Sequence, residues 1–332
     1  MVNGMTASVS VVIPTYNGAS FIKEALESVF AQTLTPCEII VADDCSTDGT
    51  ADLVRSLARH APVSLRVLQC DRNSGGPAHP MNLGMEAASS EIVAFLDQDD
   101  LMCKDKIERV SHALGTDPTI GLVFGQIRLI DRNGVLYPPV QNFYDIFPME
   151  AATLSPSEVF LSIVNQDYRF GGAGGTAVIK RAWQDLQGFD SRFSICWDRD
   201  FALRLALRGW KVAYVPHEVF LHREHDRNLV RAEHGARCFC EATQVLVNVW
   251  RGSASLPMAW RSSLLAALQA RLPGAAYWER RRRRYLAALR LYWLALRSGI
   301  AFPTAITGIL KVALAMSLHP IHTVSMAGSI RD

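Results

Sequence analysis

The chain has 332 residues, of which 49% are hydrophobic and 20% charged, and its formal net charge is +2. Such a composition sustains a large buried core and excludes a disordered, collagenous or small disulfide-stapled chain. The near balance of charge excludes a strongly basic nucleic-acid binder, and no nucleic-acid partner is expected.

An alternation of strands and helices fills the first hundred residues. Ser8 to Pro14 is a short β-branched run that ends in a turn-rich segment, Pro14-Thr15-Tyr16-Asn17-Gly18, and a helical pattern follows from Ala19 to about Gln32. Glu38 to Asp44 reads as a second buried strand, Cys45 to Thr50 as a loop and Ala51 to His60 as a second helix. Leu65 to Cys70 is the third strand, Asp71 to Pro80 a Gly/Pro-rich loop, Met81 to Ala88 the third helix and Ile92 to Leu96 the fourth strand. This rhythm predicts an α/β fold with a central, mostly parallel sheet flanked by helices. Ligands on such sheets bind beyond the carboxyl ends of the strands, where this chain carries Thr15, Asp44, Asn73 and Asp97.

After the fourth strand comes Phe95-Leu96-Asp97-Gln98-Asp99-Asp100-Leu101. Mg²⁺ and Mn²⁺ prefer oxygen ligands, and one or two carboxylates typically hold such an ion while substrate phosphates fill other positions. In an extended strand Asp97 and Asp99 face the same way and converge on one ion. The plain structural alternative is an acidic turn capping the helix that begins near Lys104. One glycine in the turn after the first strand does not make a dinucleotide fingerprint, and no Walker A sequence occurs.

Three segments, Val11 to Gly18, Val41 to Thr50 and Phe95 to Asp100, together resemble family 2 glycosyltransferases with the GT-A fold. The resemblance extends from about Val9 to about His225. It implies an inverting transfer of a sugar from a nucleotide-diphospho-sugar to a hydroxyl of a glycan or lipid-linked acceptor, assisted by Mg²⁺ or Mn²⁺. It also implies roles for the matching residues. Pro14, Thr15, Tyr16, Asn17 and Asp44 would hold the base and ribose, with Asn73, Gly75 and Gln98 beside them. Asp97 and Asp99 or Asp100 would hold the metal and diphosphate. A carboxylate such as Asp44 can accept from a base N–H or ribose hydroxyl but would repel a bare diphosphate. Tyr16 either stacks on the base or packs under the rim. Met81 stands where the family usually has Arg, with Arg72 or His79 as substitutes. Gly75 and Gly76 either offer backbone N–H groups to the ligand or only shape a turn.

Further along, the glycine cluster Phe170 to Thr176 suggests room for a sugar, with Gly174 and Gly175 as acceptor contacts. The segment Cys196 to Gly209 resembles the family's Glu-Asp followed by an amphipathic helix. This puts Asp198 at the position of the catalytic base and Trp197 in place of Glu, as a stacking platform for the acceptor. Asp200 fits a plain helix-dipole role. Leu221 to His225 is similar to the basic segment after the family's last core strand, so Arg223 is expected to reach the diphosphate and His225 a phosphate or the metal.

The charge is uneven along the chain. From Arg261 to Asp332 there are eleven Lys or Arg, five of them consecutive at Arg280 to Arg284, against Glu279 and Asp332. Aromatic residues interleave, and residues 277–318 are read as a peripheral contact with an anionic membrane; a solvated helix face and attraction of nucleic acid by the basic run are the alternatives. No stretch there reaches the roughly 20 apolar residues needed to span a bilayer. The expected domains are 1–230, a catalytic domain with a nucleotide-sugar half (1–102) and an acceptor half (103–230), and 231–332, a basic helical extension. Met1 to Ala7 is too short and polar for a signal peptide, and the seven scattered cysteines lack a Cys-x-x-Cys pair, so a cytoplasmic chain at the inner face of the cell membrane is expected. Competing readings are a nucleotidyltransferase on a related fold and a non-catalytic binder of nucleotide-sugars or glycans.

Overall fold

The β-branched runs of the first hundred residues form β1 (Val9–Thr15), β2 (Glu38–Asp43), β3 (Ser64–Gln69) and β4 (Ile92–Phe95). Helices α1 (Ile22–Phe30), α2 (Thr50–Ala58) and α3 (Ala78–Ala87) connect them. The structure is a computed structural model and describes residues 8–138, 150–165, 173–228, 235–297 and 302–318. Next come β5 (Leu101–Met102), α4 (Lys106–Thr116), β6 (Ile120–Ile130), β7 (Ala152–Leu154) and α5 (Pro156–Val164). A capping box between Ser155 and Glu158, with Pro156 in the first turn, starts α5. A 3₁₀ turn at Ala173–Gly175 leads into β8 (Thr176–Ile179), α6 (Lys180–Asp185), α7 (Trp197–Leu207) and β9 (Lys211–Arg223).

Nine strands among the described residues make one sheet in the order β3-β2-β1-β4-β8-β6-β9-β5, with β7 also paired to β9. The first four strands are mutually parallel. Beyond them the sheet is mixed, because β8 runs antiparallel to both β4 and β6. Every residue of β1, β2 and β4 is buried, as expected for central strands covered on both faces. Helix α3 lies close against the sheet at Gly84, where a Cβ would come within 2.4 Å of a Val12 methyl carbon.

The chain divides into two compact units, Met1–Ala232 and Glu233–Asp332. The described part of the second is helical: α8 (Gly235–Arg251), α9 (Met258–Arg281), α10 (Tyr285–Arg297) and α11 (Phe302–Leu318). Its core holds Val245, Leu246, Leu264, Leu268, Leu272 and Tyr292. Gly308 lets α11 approach α10, since a Cβ there would lie 2.3 Å from the Tyr292 ring. No helix among the described residues is long and apolar enough to cross a membrane.

Candidate active site

Parallel strands place their carboxyl ends on one edge, and the loops after β1, β2, β3 and β4 are stitched together there. Gln98 is the main clasp. Its Oε1 accepts from Thr15 Oγ1 (2.5 Å) and Tyr16 N (2.8 Å), and its Nε2 donates to Tyr16 O (3.0 Å). Gln98 therefore spends its amide on the loop after β1 and holds Tyr16, 47% exposed, at the rim. Thr15 is buried under the same clasp, and Pro14 lies inside β1. Asn17, at φ 51°, accepts from Thr47 N through Oδ1 while its own N–H donates to Ser46 Oγ.

Several residues expected at the nucleotide are hydrogen-bonded to one another along the rim. Asp44 is buried and receives both Ser74 N (2.9 Å) and Ser74 Oγ (2.9 Å). Asn73 donates to Asp44 O and accepts from Gly75 N, which commits the Gly75 N–H to the turn. With φ at +76°, Gly75 supplies a left-handed turn, the shaping role among its two readings. Met81 is fully buried in α3.

The acidic run is a turn, not an extended strand. β4 stops at Phe95, and Asp100 N bonds back to Asp97 O. Strand alternation therefore does not align Asp97 with Asp99; the turn brings the carboxylates together. Asp100 is fully buried, accepting from Arg223 N (2.9 Å) and facing His222 Nδ1 (3.1 Å), so it anchors the end of β9 rather than opening to a ligand. Asp97 Oδ2 accepts from Gly174 N (3.1 Å), and Asp99 Oδ2 meets His225 Nε2 (2.9 Å). His225 Nδ1 accepts from Arg227 N, so the ring proton sits on Nε2 and is donated to Asp99. The ring stacks on Phe21 at 4.7 Å and orients Asp99 from behind.

Arg223 is 1% exposed, and its guanidinium donates to Asp99 O, Arg132 O and Glu24 Oε2. This corrects the expectation that it reaches a diphosphate: a long cation at the end of a buried strand satisfies itself on nearby carbonyls and one carboxylate.

Lys106 was not legible as a site residue. Its side chain is fully buried, and Nζ donates to Phe95 O (2.6 Å) and Gly174 O (2.5 Å). Gly174 thus receives Lys106 on its carbonyl and gives its N–H to Asp97. A Cβ at Gly174 would lie 2.8 Å from the Phe220 ring, and one at Gly175 the same distance. The two glycines thus leave room for the Phe220 ring; residues 170–172 of that cluster lie outside the described residues.

Electrostatics follow from this packing. Burial, with Asp100 and Asp99 adding like charge, pushes the Asp97 carboxyl up to about 7. Burial pulls Lys106 down to about 7 against the pull of Asp97. His222 loses by burial but is carried up to about 9 by its bond to Asp100 and the charges of Asp99 and Asp97. No cage of three or more His, Cys, Asp or Glu side chains occurs among the described residues. The donor set fits Mg²⁺ or Mn²⁺ as a two-carboxylate site, because Asp97 and Asp99 each use one oxygen internally and leave the other without a hydrogen bond among the described residues.

The second station is the first turn of α7. Asp198 accepts from Arg199 N (2.7 Å) and borders a small pocket with Leu122, Val178, Phe189, Trp197 and Phe201. Trp197 is buried edge-on against Phe189 at 5.3 Å, so it is a core residue and not an exposed stacking platform. Asp200 pairs with Arg204 (2.7 Å), whose Nη1 also donates to Leu186 O and Gly188 O, fixing α7 to the preceding loop. Asn82 ties α3 to that loop by accepting from Trp183 Nε1 and Phe189 N and donating to Phe189 O.

The model of glycosyl transferase family 2 matches residues 10–180. The poly(ribitol-phosphate) beta-N-acetylglucosaminyltransferase TarS of Staphylococcus aureus is 40% identical over 167 residues, 48% of this chain and 28% of TarS. The putative teichuronic acid biosynthesis glycosyltransferase TuaG of Bacillus subtilis is 40% identical over 101 residues, 30% of this chain and 39% of TuaG. The chain thus spans well under half the length of these curated relatives. Among solved structures, the Pyrobaculum calidifontis mannosyltransferase PcManGT in complex with GDP-Man and Mn²⁺ aligns at a TM-score of 0.61 and 23% identity, covering 96% of this chain and 82% of that one. TarS residues 1–349 with UDP-GlcNAc align at 0.58 and 18% identity, covering 94% and 92%. These likenesses show a shared GT-A fold. With half of its length matched by the family model, and the three motifs gathered on one sheet edge, the chain belongs to glycosyl transferase family 2.

Proposed function

We propose that the chain transfers a sugar from a nucleotide-diphospho-sugar to a hydroxyl of a glycan or lipid-linked acceptor, with inversion, in cell-surface polysaccharide synthesis at the cytoplasmic face of a membrane. The observation that carries the reading is Asp97, whose carboxyl is raised by burial and by the like charge of Asp100 and Asp99, beside the rim that presents Tyr16. A carboxyl pushed up to about 7 is one that a cation would relieve. The relatives' printed names, a polymer N-acetylglucosaminyltransferase and a teichuronic acid glycosyltransferase, support the polysaccharide class.

In this proposal Tyr16 and the loops of Asp44 and Asn73 frame the nucleoside, while Asp97 and Asp99 hold Mg²⁺ or Mn²⁺. The ion would neutralise charge developing on the departing nucleoside diphosphate. Asp198 takes the proton of the acceptor hydroxyl as that oxygen attacks the anomeric carbon opposite the leaving group. Gly174 N–H orients Asp97, His225 orients Asp99, and Lys106 fixes Gly174. Residues 277–318 make the membrane contact.

A donor panel tests this. The purified chain, with Mg²⁺ or Mn²⁺, is mixed with UDP-, GDP-, dTDP- and CDP-sugars while nucleotide release and thermal stabilisation are followed. One donor that stabilises the chain in a metal-dependent way and slowly yields nucleoside diphosphate is the expected result. Pyrophosphate release from a nucleoside triphosphate and a sugar phosphate would establish the nucleotidyltransferase reading. Stabilisation without turnover, whatever acceptor is supplied, would establish the binder.

A further inference from the structure

The second unit presents a surface whose apolar residues are too many and too regularly spaced for a helix face left to water. On α10 the exposed positions are Leu286, Arg290, Trp293 and Arg297, a spacing of four, three and four that forms one stripe along the helix. The opposite face buries Ala288, Leu291, Tyr292 and Ala295. On α11 the exposed stripe is Ile306, Leu310 and Leu314, with Lys311 beside it, while Ala305 and Val312 are buried. Trp293 is 57% exposed, Leu310 64% and Leu314 62%.

Charge singles out the occupant. From Met258 to Leu318 the only acidic residue is Glu279, which is buried against Arg282 and Arg284. Exposed charge on the described residues of α9 to α11 is therefore entirely basic: Arg261, Arg281 to Arg284, Arg290, Arg297 and Lys311. Guanidinium groups also lie over exposed aromatic rings, Arg297 over Trp293 at 5.9 Å and Arg280 over Tyr277 at 5.5 Å. A protein partner would have to bury this cationic apolar face against a matching acidic one. An anionic bilayer supplies both terms at once, acyl chains for the leucines and lipid phosphates for the arginines, with aromatic rings at headgroup level. No helix among the described residues is long and apolar enough to span, and α10 and α11 would lie in the interface.

We propose that the outer faces of α10 and α11 form the docking surface for an anionic lipid bilayer, inserted through Trp293, Leu310 and Leu314 and held by Arg290, Arg297 and Lys311. This deepens the membrane part of the proposed function and rests on that part alone; it is independent of the transfer chemistry.

The test is co-sedimentation of the full chain with vesicles of phosphatidylcholine and with vesicles that also contain phosphatidylglycerol. Binding to the anionic vesicles, weakened but not abolished by high salt, is expected. The double variant Trp293→Glu/Leu310→Glu should lose about tenfold or more in vesicle partition, keeping its circular dichroism and its donor-induced thermal stabilisation. If that variant misfolds, Arg290→Glu/Arg297→Glu, altered only at exposed termini of side chains, serves in its place with the same expected loss. Absence of wild-type binding, or equal binding by a folded variant, overturns the proposal. So does a wild-type oligomer, dispersed by the same substitutions, that ignores lipid; the face would then be an interface between copies. Lipid binding alongside a failed donor panel would leave the surface standing and remove only the transferase reading.

Discussion

The acidic turn at 97–100 and the first turn of α7 each carry a carboxylate for the proposed reaction, and their surroundings differ in kind. Asp97, Asp99 and Asp100 sit among Lys106, His222, Arg223 and His225, with backbone donors from Gly174 and Arg223. Asp198 instead borders an apolar pocket of Leu122, Val178, Phe189 and Phe201. One region is an array of like charges held together by cations, suited to receiving another cation. The other sets the Asp198 carboxylate in the first turn of a helix, beside a small apolar recess. The contrast predicts that damage to the first is felt in stability and donor binding, and damage to the second in turnover.

Asp198→Asn removes the base while preserving shape, so transfer should fall by about 10²–10⁴-fold with donor-induced stabilisation intact. Unchanged turnover in a coupled nucleotide-release assay would move the base elsewhere.

Arg223→Met tests the first region. It leaves Asp99 O and Arg132 O without their donor and Glu24 without its cation, a loss of about 3 kcal/mol. Urea denaturation should show the shift in midpoint, and a shift below a few tenths would mean that Arg223 is not a strut.

A pH series on the metal-free chain sharpens the same contrast. Asp97, at about 7 when folded against 3.8 ordinarily, keeps a proton in the folded state that the unfolded chain has already released. Its contribution is therefore full at low pH and is lost as pH rises towards 7. Above that, His222, raised to about 9, loses stability as pH rises, whereas Lys106, lowered to about 7, gains it. The two offset each other. Melting temperature should thus fall between about pH 5 and pH 7 and then level. Mg²⁺ should stabilise more at the upper end, and Asp97→Asn should flatten the slope.

The smallest effect lies in the loop after β2. Cys45 holds φ at 65°, a left-handed conformation that costs a side chain about 1 kcal/mol, so Cys45→Gly should stabilise by up to that amount. The hydrogen bond from Cys45 Sγ to Cys70 O is lost in exchange. A fall in melting temperature would show that this bond outweighs the strain.

The fold of the donor half was readable because its signals are local. β-branched runs and the turns between them foretold β1 to β4 within one or two residues. The antiparallel insertion of β8 was not, since its pairing with β4 joins residues more than eighty positions apart. The same limit divides the site. Motif spacing could gather Asp97, Asp99 and Tyr16 at one rim. It could not tell that Asn73, Asp44 and Gln98 turn their polar atoms on neighbouring loops, or that Arg223 points inward, because each answer depends on partners distant in sequence. Lys106 escaped notice for a related reason: a lysine in a helix reads as a solvated surface residue unless the two carbonyls that receive it are known.

The Gln98 clasp has a further consequence. Because one amide grips both the backbone of Tyr16 and the hydroxyl of Thr15 while its own residue lies between Asp97 and Asp99, the aromatic rim and the acidic turn cannot slide relative to each other. Gly18 leaves that clasp no slack, as a Cβ there would come within 2.2 Å of Gln98 Oε1. One side chain thus makes the aromatic rim and the acidic turn a single piece, so that a substitution of Gln98 would disturb both at once.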